Sequence, residues 1–121
     1  MRGAARLGYG DDVWNFLAVM ATNGVFHTGL APSHYDHLNV FNVDASWGIP
    51  SVINNCLLIS LPGVFDLLPA LLSAWQSGSI SGILARGQIK VDRLAWDVAD
   101  GRVTANLTSA RKQSVQLGVP P

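Results

Sequence analysis

The apolar residues change their spacing partway along the chain, and that change limits the folds it can adopt. Up to about residue 60 they recur at the helical period; from Ile80 onward they recur every second residue. Residues 11–23 are predicted to form a helix, with Asp11 as its cap, Gly24 as its stop and an apolar face of Val13, Trp14, Phe16, Leu17 and Met20. A long loop, 24–45, follows. A second helix is expected from Ile49 to Ser60, with Ser46 as N-cap and Pro50 in its first turn. Its apolar residues cover most of its circumference, which predicts a buried helix.

Pro62-Gly63 ends the helical stretch, Val64 to Leu68 reads as a short extended piece, and Pro69 to Gly78 reads as an irregular linker carrying Trp75. Beyond it, Ile89 and Val91 alternate, then Leu94, Trp96 and Val98. The phase slips at Asp92-Arg93, the mark of a β-bulge. Asp100-Gly101 is a hairpin signal, and Val103, Ala105 and Leu107 form the return strand. Arg111-Lys112 predicts another turn before a last strand through Val115, Leu117 and Val119. The whole reads as an antiparallel meander with one apolar face.

Composition narrows the function. Only 13% of the 121 residues are charged, against roughly 25% in an ordinary soluble domain. Part of the surface is therefore expected to be covered by further chain or a partner. The net charge is zero, which gives no footprint for nucleic acid or anionic lipid. No apolar run is long enough to span a membrane. All eight acidic residues are Asp, so chemistry that needs a Glu cannot be completed by this chain alone. The single cysteine, Cys56, sits in an apolar run and reads as an inert buried thiol. No cofactor is implied. Asn106-Leu107-Thr108 is a glycosylation sequon, relevant only in a eukaryotic secretory context.

Several segments resemble consecutive landmarks of a known family. Ala5-Arg6-Leu7-Gly8-Tyr9-Gly10-Asp11 is similar to "ARLGxGDxA", and Phe41 to Gly48 (FNVDASWG) is similar to "FQIDGNFG". Leu57-Leu58-Ile59-Ser60 resembles the end of "MLLQS". Asp66 to Leu71 with Ser73-Ala74-Trp75 resembles "LLPALPSAW", and Gly78 to Gly87 resembles "GSVKGLRARGG". In this order and spacing the set resembles the family 95 glycoside hydrolases, the α-L-fucosidase-like group. Ala45, Ser46 and Trp47 depart from the Gly, Asn and Phe of the second motif, and Leu72 from the second Pro of the third.

The resemblance implies an α+β chain: the end of an (α/α)6 barrel followed by an antiparallel β-sandwich segment. The expected division is a helical catalytic part over 1–62, a linker over 63–78 and a β-domain over 79–121. It also implies a C-terminal fragment of an inverting exo-glycosidase for α-L-fucosides or related α-linked sugars. Such a fragment would need the missing N-terminal part of the same polypeptide and would take an oligosaccharide or glycoconjugate substrate. The alternative is a non-catalytic accessory or glycan-binding β-module with a helical lead.

Inverting glycosidases use two carboxyl groups on opposite sides of the scissile bond. By resemblance, Asp44 matches the general base, and the acid, a Glu, lies outside this chain. Asp44 also has a structural reading, since Asp is a favoured helix cap. His34 and His37 tempt a metal reading with Asp36, but zinc needs three or four convergent ligands. A polar loop lining a sugar cleft suits His34, His37 and Asn42 as well as an ordinary loop does. Trp47 suits sugar stacking or a place in the core, whereas Trp14, Trp75 and Trp96 read as core or interface residues. Arg86-Gly87 reads as positioning an inter-domain turn.

Overall fold

A computed structural model describes residues 2–22 and 43–119. Three helices lead: α1 (Arg2–Arg6), α2 (Gly10–Thr22) and α3 (Val43–Leu57). Seven strands follow: β1 (Leu58–Leu61), β2 (Val64–Leu67), β3 (Ser77–Ile80), β4 (Ile83–Ala85), β5 (Ile89–Asp97), β6 (Arg102–Ser109) and β7 (Gln116–Gly118). The α+β class and the switch from helix to strand agree with the sequence reading. No helix among the described residues is long and apolar enough to cross a membrane.

Four expectations about α3 are corrected: its bounds, its cap, the place of its proline and its burial. It begins at Val43 rather than Ile49 and ends at Leu57 rather than Ser60. Ser46 is therefore inside the helix rather than its cap, and its hydroxyl is buried with no hydrogen-bond partner among the described residues. Pro50 lies in the interior, not the first turn, and removes one backbone hydrogen bond there. Nor is α3 buried all round: Val52, Cys56 and Leu57 are buried, while Trp47, Pro50 and Asn54 are exposed. The helix stops early because Leu58 to Leu61 find a sheet partner. Pro62-Gly63 closes a tight hairpin, with Leu61 opposite Val64 and Leu58 opposite Leu67. Gly63 takes φ 78°, a conformation that suits glycine.

The last strand is also corrected. β7 does not extend the meander; it pairs parallel with β2, placing Phe65 opposite Leu117. The first sheet has the order β1-β2-β7. In the second sheet β5 is central. β6 covers one edge of β5 along most of its length, while β3 and β4 share the other, against Leu94–Asp97 and Ile89–Val91 respectively. The β5–β6 register shifts between Val91 and Arg93, the bulge expected from the phase slip. The hairpin at Asp100-Gly101 joins β5 to β6 as expected, with Gly101 at φ 58°.

The two sheets share one core, in which Leu57, Leu58, Phe65, Leu67 and Leu68 pack with Ile89, Val91, Leu94 and Trp96. A second cluster joins Ala5, Val13, Val52 and Cys56 to Ala70 and Leu72. Trp75 packs against both clusters, so it holds the helical segment to the sheets. Trp14 is not in this core: it is 44% exposed, and Phe16 and Val19 beside it are exposed too, which leaves the interface reading of Trp14.

Candidate functional site

The first and third motif segments meet in space. Gly8 takes φ 80° and turns the chain between α1 and α2, and Tyr9 N–H donates to Ala4 C=O at 2.9 Å. Gly10, the first residue of α2, lies directly against the backbone of Ala70 and Leu71. A Cβ there would sit 2.6 Å from the Ala70 carbonyl oxygen and 2.7 Å from that of Leu71. Asp11 follows. Its carboxylate accepts the Ser73 amide at 2.8 Å instead of capping its own helix. The Ser73 amide, and then its hydroxyl, hold the Asp11 carboxyl below its usual value. The glycines of "LGYG" thus permit a close approach, and the aspartate fastens it.

The third segment is also tied to α3. Leu68 N–H donates to Leu57 C=O at 2.8 Å and Ala70 N–H to Cys56 C=O at 3.2 Å. Leu68 is fully buried at φ 52°, a left-handed conformation uncommon for a branched side chain. Burial against both sheets outweighs the local cost. Arg86 N–H donates to the Ser60 hydroxyl at 2.8 Å, linking β4 to β1. This fits a positioning role for the Arg86-Gly87 turn. Burial raises the pKa of the Cys56 thiol, which makes the reactive thiolate scarcer.

Asp44 is the second residue of α3 and is exposed. It is therefore not the residue that precedes the helix, although its charge still favours the helix N-terminus. Among the described residues no hydrogen bond engages its carboxylate. Trp47 lies one turn further on and is 76% exposed. That places it outside the core and leaves its indole face open. His34, His37 and Asn42 lie outside the described residues. Asp44 and Trp47 thus share the exposed N-terminal part of α3, directly after the segment that holds the other three.

Sequence reasoning missed two features. One is the Asp11–Ser73 clamp, which an aspartate next to a tight glycine could have suggested. The other is a polar hollow of about 310 Å3 on the second sheet, between β3 and β6. The small residues facing it, Ser77, Ser79, Ala95 and Thr104, were visible only as the other half of the period-two pattern.

The fold is that of a β-rich α+β module, and its motif segments resemble those of a glycoside hydrolase. Residues 60–120 match the glycoside hydrolase family 95 C-terminal domain, and the chain belongs to that family. No curated protein matches the chain. The matched region takes in the second half of β1 and every later strand.

Proposed function

We propose that the chain is the C-terminal part of an inverting exo-glycosidase that acts on α-L-fucosides or related α-linked sugars, with Asp44 as general base. The observation that carries this reading is the position of Asp44. It stands exposed at the start of α3, inside the FNVDASWG segment, with no hydrogen bond to it among the described residues. A general base must face solvent or substrate to take a proton from the attacking water. Trp47, one turn away, offers an aromatic face for a sugar ring. His34, His37 and Asn42 supply donors and acceptors for hydroxyls in this proposal. The acid is a Glu from the rest of the polypeptide, since this chain has none.

The uncovered apolar residues on the helical side support a partner there. Leu7, Tyr9, Trp14, Phe16 and Val19 are each more than two-fifths exposed. A free surface rarely carries so many large apolar groups together. In this proposal the helices belong to a larger helical barrel whose other members cover them. The boundaries 1–62, 63–78 and 79–121 are proposed on the same footing, with the family match lying mainly on the β side.

The test is hydrolysis of an aryl α-L-fucoside by the full-length parent, followed by NMR from the first turnover. The β anomer of the released sugar is expected first. Release of the α anomer would refute inversion, and turnover of other glycosides but no fucoside would refute the substrate assignment.

A further inference from the structure

The outer face of the second sheet carries a hollow that the core does not use. Strand pairing sets its floor: Ser79 lies opposite Ala95, and Ala95 opposite Thr104. Three short side chains in a row across neighbouring strands leave a depression of about 310 Å3. One end is closed by Asp97, which lies between Ser77 and Arg102 in the ladder. Arg93 stands at the other end, beside Asn106. From Arg93 to Asp97 the strand runs about 13 Å at roughly 3.3 Å per residue, a span suited to one or two sugar rings.

The charges are uneven. Among the described residues no carboxylate pairs with Arg93, which is exposed. Arg102 contacts Asp100 at 3.3 Å, with both side chains largely exposed. Such a pair is weak, so Arg102 is free to turn to a ligand. Asp97 already accepts the Asp100 amide at 3.1 Å through Oδ1, which leaves Oδ2 for a hydroxyl donor. The hollow therefore offers two guanidinium forks, one carboxylate oxygen and a row of hydroxyls. The one aromatic residue among the described ones that lines it, Trp96, is 9% exposed and packs its side chain into the core, so ring stacking is not the hollow's means of binding. Guanidinium forks match planar or tetrahedral oxyanions, and the hydroxyls and Asp97 match sugar hydroxyls.

We propose that this face is a second, non-catalytic glycan-binding site that takes a sugar unit bearing an anionic substituent, a carboxylate or a sulfate. Arg93 holds the anion, and Ser77, Ser79, Thr104 and Asp97 hold the ring hydroxyls. The site lies on β3, β5 and β6, whereas Asp44 lies on α3, so the proposal stands whatever the role of Asp44.

The test is ligand-observed NMR on the full chain with four probes: methyl glucuronide, galactose 6-sulfate, neutral methyl galactoside and inorganic sulfate. Binding is expected for the two acidic sugars, weaker binding for the neutral one, and weaker still for sulfate alone. Whichever acidic sugar binds tighter identifies the substituent. Arg93→Ala should weaken acidic-sugar binding roughly tenfold, as expected for loss of a charge-assisted hydrogen bond. Ala95→Leu should abolish binding by filling the floor. Lys112→Ala, in the exposed turn after β6, should change nothing. Both altered positions point away from the core, and circular dichroism checks that the variants fold. Equal binding of neutral and acidic sugars, equal binding of sulfate alone, or unchanged affinity in both Arg93→Ala and Ala95→Leu would overturn the proposal.

Discussion

Gly78 and Trp96 face each other in the β3–β5 ladder, and the indole lies over the glycine where a side chain would stand. A Cβ at Gly78 would come 2.5 Å from Trp96 Cζ2 and 2.9 Å from Cη2, too close for any carbon pair. The ring cannot simply swing aside, because its Nε1–H donates to the Trp75 carbonyl at 2.9 Å and the side chain is 9% exposed. Gly78→Ala must push the indole off its seat or bend β3. Overpacking of this kind costs about 1–3 kcal/mol, and a lost hydrogen bond adds about 1. For 121 residues the unfolding entropy is about 0.25 kcal/mol per degree. The melting temperature should therefore fall by roughly 4–16 °C, read by near-ultraviolet circular dichroism of the tryptophans. Trp96→Phe removes the clashing ring atoms. Gly78→Ala should then cost clearly less in the Trp96→Phe background than in wild type, by more than about 0.5 kcal/mol. Additive effects of the two substitutions, or an unchanged melting temperature for Gly78→Ala, would show that the glycine does not make room for the indole.

Two further outcomes are expected. Asp11 and Asp92 are both held below the ordinary carboxylate value of 3.8, Asp11 by Ser73 and Asp92 by the Thr108 hydroxyl and then Lys90. A lowered folded pKa means that the stabilisation is present above 3.8 and is lost as the pH falls through the folded value. The combined Asp11→Asn and Asp92→Asn variant should therefore show a flatter acid limb in stability against pH than wild type; an identical limb would refute the assignment. The isolated 121-residue chain should not hydrolyse an aryl α-L-fucoside, since it contains no Glu; turnover abolished by Asp44→Asn would contradict this.

The β half was the more legible in sequence. Alternation through Leu94 and Trp96, the slip at Asp92-Arg93 and the Asp100-Gly101 turn each fixed a feature locally, and each is present. The helical half was less so. Leu58 to Leu61 is apolar and reads equally as the end of a helix or as a strand. Only its partner across Pro62-Gly63 decides between them. β7 pairs with a strand about fifty residues earlier, a non-local choice that no local pattern carries. At the site, the motifs placed Asp44 at the start of a helix but not whether it is buried. Trp47 was open between core and surface, and its exposure depends on which elements surround α3. The Asp11–Ser73 clamp depends on a contact across sixty-two positions, so a capping rule misassigned Asp11.

The central claim is that Asp44 takes a proton from the attacking water, and Asp44→Asn in the full-length parent tests it most directly. The amide keeps the size of the carboxylate but cannot accept that proton. General base catalysis is worth roughly 10^2 to 10^4 in rate, and the loss should fall on kcat, with substrate binding nearly unchanged, because the proton moves only in the transition state. If Asp44 only favours the N-terminus of α3, the exchange costs up to about 1 kcal/mol of stability and leaves turnover intact. A kcat lowered at least a hundredfold with KM nearly constant is the predicted result. A wild-type kcat would contradict the account and leave Asp44 a structural residue.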